Sequence, residues 1–142
     1  MPLLNEKNED EKSLALRWYQ VRNRVKEQFG ERPDINAMLF IIGMNEVGLV
    51  KEKWEKEEKQ DLMHVALCKL LSSDGYYELL GHDTDGWPIY EPVKGVPKLA
   101  LKDQDELLKK KIIEYFEALW ATAIALANLQ AFKLLKFIFL LS

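Results

Sequence analysis

Residues 72–91 read SSDGYYELLGHDTDGWPIYE, and this stretch decides the fold because it separates two long helical patterns. Its aromatic residues favour strands at Tyr76–Leu80 and Trp87–Glu91. The Asp83–Gly86 segment between them predicts a tight turn, since Asp-Gly supplies the positive φ angles that short hairpins need. Pro88 cannot donate a hydrogen bond within a sheet, so the second strand is predicted to be an edge strand. We therefore expect one β-hairpin in an otherwise helical chain.

Three helical patterns precede the hairpin. Apolar residues at spacings of four and three predict a first helix over about Glu9–Phe29, after a flexible N-terminus of residues 1–8. Asp34 is a good N-cap for a second helix, and Gly43 within that helix is interpreted as a point of close packing. A third helix is predicted over about Glu55–Leu71. The order of elements up to the hairpin is therefore helix, helix, helix.

A fourth helix is predicted after the hairpin, beginning at Asp103, because Asp103 and Glu106 resemble a capping box. Residues 118–142 form an apolar C-terminal helix or tail that lies either in the compact domain or outside it. A chain of 142 residues fits a single domain, residues 1–142. The predicted fold class is mainly α: a small domain of four to five helices, with one β-hairpin between the third and fourth helices.

Charge is distributed unevenly along the chain. From Ala118 onward the only charged residues are Lys133 and Lys136, so residues 1–117 carry a net −5 and the remainder +2, which together make the net −3. An acidic body argues against nucleic-acid binding, which needs a surplus of Lys and Arg on one face. Cys68 is the single cysteine, so an intrachain disulfide is impossible and a reducing, cytoplasmic location is predicted.

The strongest candidate for a metal or catalytic site is a group of potential ligands on the third helix. Asp61, His64 and Cys68 follow each other at spacings of three and four, so they share one helical face. With His82 from the hairpin they could bind a zinc-like ion or form a Cys–His pair for nucleophilic chemistry. The simpler interpretation is a surface Asp–His pair beside a small buried cysteine. No CxxC pair or HExxH motif is present, so no catalytic residue and no cofactor is predicted.

Tyr76, Tyr77, Trp87 and Tyr90 are the densest aromatic group in the chain. A two-stranded hairpin cannot bury four aromatic rings by itself. These residues therefore either pack back onto the helices and close the core, or form a binding surface for a partner, since Trp and Tyr are favoured contact residues.

The segment 118–141 is 24 residues long, which is enough to cross a bilayer. Its polar residues make that costly: Asn128, Gln130, Lys133 and Lys136. A packed helix or half of a dimer interface needs no membrane. Packing against protein is therefore the preferred interpretation of this segment, and membrane contact through it is the alternative.

Several short strings resemble a family of short bacterial proteins of uncharacterised activity. They are Glu57–His64, Gly75–Tyr77, Asp85–Pro88, Arg17–Tyr19 and Arg32–Asp34. The resemblance covers about residues 14–117 and stops before the apolar tail. It implies a bacterial, cytoplasmic protein and no particular activity.

These observations favour a small non-enzymatic interaction or adaptor protein, self-associating as a homodimer through its fourth helix or binding a protein partner. One alternative is a metal-binding protein or metal-dependent enzyme that uses His64, Cys68 and His82. The other is membrane association through residues 118–141.

Overall fold

The computed structural model describes the backbone of residues 2–49 and 51–141, and the side chains of residues 9–49 and 51–124. The elements follow in the order α1 (Pro2–Phe29), α2 (Ile35–Val47), α3 (Lys56–Ser72), β1 (Tyr77–His82), β2 (Pro88–Pro92) and α4 (Leu101–Leu141). The predicted fold class is confirmed: the described chain is mainly α, with four helices and one hairpin between α3 and α4.

Helix α1 begins at Pro2, whereas the apolar spacing predicts a start at Glu9. Residues 2–8 have no repeating apolar stripe from which periodicity could identify a helix, and proline is well tolerated in a first helical turn. The backbone of these residues, predicted as part of a flexible N-terminus, is therefore helical. The helix ends at Phe29 as predicted, and Gly30 follows with φ +87°.

Helix α2 begins and packs as the sequence predicts. The Ala37 N–H donates to the Asp34 carboxylate at 2.8 Å, so Asp34 is the N-cap residue. Gly43 lies directly against α3, where a Cβ would come within 2.9 Å of the Leu62 Cβ. The helix ends at Gly48, which adopts φ +76°, a conformation that favours glycine.

The hairpin is antiparallel, with Leu79 opposite Tyr90 and Gly81 opposite Ile89. Leu80 has no partner in this register and forms a bulge. The predicted turn is confirmed, because the Asp83 N–H donates to the Trp87 carbonyl at 2.9 Å and the two strands meet there. One side of the hairpin packs against α3. Both strands are edges, as expected for the strand that contains Pro88.

Helix α4 begins at Leu101, so the prediction of a capping box at Asp103 and Glu106 is wrong. The Gln104 N–H donates to the Ala100 carbonyl at 2.9 Å, and its side-chain amide donates to the Leu99 carbonyl at 2.8 Å. These bonds draw the segment before Asp103 into the helix and place Asp103 inside the first turn. Its carboxylate still suits the positive end of the helix dipole there.

Helices α1 and α4 run parallel, because residue numbers rise together along their contacts. Three pairs define this direction: Glu11–Lys102, Arg17–Glu117 and Arg24–Trp120. The Arg24 guanidinium lies 4.1 Å from the centre of the Trp120 ring. The end of α1 therefore lies near the level of Trp120, while α4 continues as a helix to Leu141.

The core lies where α1, α2, α3 and α4 meet. Its apolar side chains come from all four helices, and the four apolar residues of α1 that recur at spacings of four and three (Leu14, Trp18, Val21 and Val25) are all buried. From the other helices the core takes Met38, Leu39, Ile42, Ala66, Leu70, Ile112, Ile113 and Phe116. In the part of the chain with described side chains, no polar or charged residue is buried. The body is therefore stabilised mainly by apolar burial.

Candidate functional site: an apolar groove at the base of the distal half of helix α4

The four hairpin aromatics lie partly buried, between the exposed surface and the core. Tyr76, Tyr77, Trp87 and Tyr90 all have intermediate exposure. Burial raises the pKa of Tyr90, helped by the nearby carboxylate of Glu46. The structure thus leaves each of the four rings partly accessible.

The most exposed apolar side chains of the hairpin region are aliphatic. They are Leu79, Leu80, Ile89 and Val93, and Leu80 is 59% exposed. Leu79 lies opposite Tyr90 and Leu80 is the unpaired residue of the bulge, and both leucines are exposed on the hairpin. The adjacent pair Leu79-Leu80 is the sequence feature that indicates an exposed aliphatic surface on the hairpin.

The Cys–His pair forms, but without the environment of a reactive thiol. The Cys68 Sγ lies 3.5 Å from the His64 Nε2. Cys68 is only 2% exposed, and burial raises the pKa of its thiol. A reactive cysteine needs a lowered pKa and access to solvent, and Cys68 has neither.

The other predicted ligands do not gather around this pair. Asp61 and His64 line an open cavity of about 430 Å³ with Asp83, Asp85 and Trp87. The residues lining this cavity do not include His82 or Cys68. Among the residues whose side chains are described, no three His, Cys, Asp or Glu side chains are grouped so as to hold a metal ion. The predicted metal ligands Asp61, His64, Cys68 and His82 are therefore not brought together as one group in the described side chains.

An apolar groove lies where the ends of α1 and α2 meet α4. We call it the basal groove and define it by six of its lining residues: Phe29, Ile41, Met44, Phe116, Leu119 and Trp120. Its volume is about 350 Å³. Phe29 is 55% exposed at its rim. A groove with this lining can accept apolar side chains or the end of an apolar helix.

One polar pair borders the basal groove. The Asn45 side-chain amide donates to the Tyr115 hydroxyl at 2.6 Å. Burial raises the pKa of Tyr115 well above its ordinary value, so its hydroxyl stays protonated in the folded chain. The pair itself is neutral, and the nearby carboxylate of Glu46 helps to raise the pKa of the Tyr115 hydroxyl.

Helix α4 passes the basal groove and continues beyond it. Trp120 packs against the core, but each of the next four residues, Ala121–Ile124, is exposed, and Ile124 is 54% exposed. Within the part of the chain whose side chains are described, no helix is long and apolar enough to cross a membrane. The predicted membrane contact concerns residues 118–141, most of which lie outside that range, since side chains are described only to Ile124.

Comparison of the chain with protein families, with curated proteins and with solved structures finds no match. The resemblance to short bacterial proteins therefore stays a prediction.

Sequence reasoning missed the basal groove because its residues come from three separate helices. Phe29, Met44 and Leu119 are far apart in the chain, and each belongs to an ordinary apolar pattern. The one available signal was Phe29, a large apolar residue that continues the stripe of α1 four residues after Val25 but stands directly before the helix-ending Gly30, where it is 55% exposed.

Proposed function

We propose that the protein is a small non-enzymatic interaction protein that associates through the C-terminal half of α4, with a second copy of itself as partner. One observation carries the proposal. Helix α4 extends to Leu141, well past Trp120, which is the last of its described side chains to pack on the body, and Ile124, one turn beyond Trp120, is 54% exposed.

The composition of the distal half of α4 supports protein contact. Of the 17 residues 125–141, 13 are apolar and four are polar. A single helix gains most of its stability from packing an apolar face rather than from its own hydrogen bonds. A helix of this composition is therefore expected to pack against another surface.

Association with protein is favoured over insertion into a membrane by the position of the lysines. Lys133 lies close to the middle of the segment 118–141, and Lys136 is one turn further on. Each lysine near a bilayer centre costs roughly 2.5–3.5 kcal/mol on insertion scales. At a protein contact the lysine stems can pack along the helix while their ammonium groups reach water.

The metal-binding alternative has no comparable support. Cys68 lies buried beside His64, and His82 does not line the cavity that His64 shares. Metal analysis of the purified chain tests this alternative directly. Stoichiometric zinc would favour it and would weigh against a purely interaction-based function.

The experiment that tests the proposal measures the mass of the full chain by light scattering over a range of concentrations. We expect twice the 16.6 kDa of one chain. Ile124→Glu should shift the mass toward the monomer, because the new carboxylate would have to lose its water at the contact. Leu101→Glu is the matched control on the same helix, since Leu101 is 83% exposed and lies at the opposite end of α4.

Two outcomes would contradict the proposal. One is a monomeric mass for the native chain at every concentration. The other is recovery of the chain only in the membrane fraction of the cells that make it, with release by detergent alone, which would favour the membrane alternative.

A further inference from the structure

Resting on the proposed function, we infer that two copies pair antiparallel along the distal half of α4, and that the C-terminal end of each helix occupies the basal groove of the other copy. The apolar pattern of α4, the position of the groove and the length of the helix together support this arrangement.

The apolar pattern continues the face that packs on the body. Residues at alternating spacings of four and three follow Trp120 in a heptad-like pattern, which we call the seam: Trp120, Ile124, Ala127, Ala131, Leu134, Ile138 and Leu141. At about 100° per residue the seam occupies roughly 100° of the helix, on the side that includes the buried Ile113 and Phe116. The 3.5-residue period is the one that pairs two helices side by side.

The polar residues of the distal half avoid this face. Asn128, Gln130, Lys133 and Lys136 fall within a sector of roughly 200° on the other side of the helix, with no overlap with the seam. The seam is therefore the continuous apolar strip that a second helix could cover without burying a charge.

The basal groove of a copy cannot be filled by its own distal helix. Because α4 is one helix from Leu101 to Leu141, its end lies about 31 Å beyond Trp120, at a rise of 1.5 Å per residue. The groove lies at the level of Phe116–Trp120. Only another chain can bring an apolar helix end to it.

An antiparallel pair brings that end to the groove in the register in which Ala127 of one copy lies opposite Ala131 of the other. In this register Ile124 faces the second copy's Leu134, and Trp120 faces its Ile138. The second copy's Leu141 then lies about one turn past Trp120, level with the basal groove. A parallel pair would carry both helix ends away from both grooves.

Symmetry and charge agree with this arrangement. An antiparallel pair with two identical contacts closes as a two-fold dimer, the commonest form of assembly. The distal half of each copy carries +2 and approaches the body of the other, where residues 1–117 carry −5. Long-range electrostatics therefore favours the approach.

Disulfide trapping in the full chain tests the direction and register. The native Cys68 is 2% exposed and should stay silent, so new cysteines report alone. We expect a mixture of the Ile124→Cys and Leu134→Cys chains to form disulfide-linked dimers under mild oxidation. Each variant alone should form at least tenfold less, because equal positions lie about 15 Å apart along an antiparallel pair.

The groove is tested by Phe29→Glu, with Leu16→Glu as the matched control. Both residues are exposed on α1, Phe29 at 55% and Leu16 at 57%, but only Phe29 lines the groove. We expect Phe29→Glu to raise the dimer dissociation constant at least tenfold and Leu16→Glu to leave it unchanged. Circular dichroism of both variants checks that the helices still form.

The outcomes separate this inference from the proposed function. Self-crosslinking of Ile124→Cys alone, with a dimeric mass, would overturn the antiparallel register and leave the proposed function standing. An unchanged dissociation constant for a folded Phe29→Glu chain would overturn the groove contact. A monomeric native chain would overturn both proposals.

Discussion

Replacing Gly43 by alanine tests the closest helix contact of the fold. An alanine Cβ at this position would lie 2.6 Å from the carbonyl carbon of Leu62 and 2.9 Å from its Cβ. Real Cβ atoms do not approach other heavy atoms so closely, and a backbone carbonyl cannot rotate away as the end of a side chain can. The helices α2 and α3 would have to move apart at their crossing.

Two opposing effects set the size of the change. Alanine gains about 1 kcal/mol over glycine in helix propensity. Overpacking of a well-packed core costs about 1–3 kcal/mol, and more when the obstacle is rigid. We expect the clash to win, because Leu62 is fully buried and its backbone belongs to α3, and the free energy of unfolding to fall by about 2 kcal/mol. For a chain of this size the melting temperature should fall by roughly 4–8 °C.

The assay is urea unfolding followed by circular dichroism, with Gly95→Ala as the control. A Cβ at Gly95 meets no other heavy atom within 4 Å, so that variant should keep the native stability. The sign of the change in the free energy of unfolding shows whether the clash or the helix propensity has the larger effect. A Gly43→Ala chain as stable as the native chain, or more stable, would mean that propensity acts alone and that α2 and α3 do not touch at this point.

Three further predictions concern the turn, the groove edge and the cysteine. Asp83→Ala removes an acceptor of two backbone N–H groups at 2.9 Å each, so the chain should lose about 1 kcal/mol in urea unfolding, and an unchanged midpoint would count against the turn. Because burial raises the folded pKa of Tyr115 above its unfolded value of about 10, its stabilisation is complete below pH 10 and is lost as the pH rises further. The loss of stability from pH 9 to pH 11 should therefore be smaller for Tyr115→Phe than for the native chain, and equal losses would contradict the raised pKa. Cys68 should react with a thiol reagent at least about 100-fold faster in urea than in the native chain, and rapid native labelling would show that the thiol is accessible.

Local chemistry made part of the fold predictable. Asp34 caps α2 because its short carboxylate reaches an N–H three residues ahead, and no distant part of the chain is needed for that bond. Gly43 stood out because glycine inside a helix is costly unless a neighbour packs against it closely. A capping residue must stand directly before the helix. Asp34 does so for α2, but the bonds of Gln104 start α4 before Asp103, so Asp103 lies inside the first turn and does not cap the helix.

The candidate sites were harder to predict because they depend on tertiary contacts. Spacings of three and four place Asp61, His64 and Cys68 on one broad face of α3, but that face straddles the boundary between core and solvent. Cys68 falls on the buried side while Asp61 and His64 remain exposed. Asp61 and Cys68 are also about two turns apart along the helix axis, so a shared face does not by itself bring these ligands to one centre, and sequence spacing does not report which edge of the face the core covers.

The basal groove likewise depends on tertiary contacts, and it connects the fold to the proposed function more closely than any sequence motif does. Its walls are the ends of α1 and α2 and the last packed turns of α4, so anything bound there contacts three helices at once. An occupant that binds only the folded body would stabilise it in proportion to the logarithm of its concentration. In the proposed dimer that occupant is the distal half of α4 itself. One face of one helix would then close the core in its first half and, in its second half, stabilise the fold of the neighbouring copy.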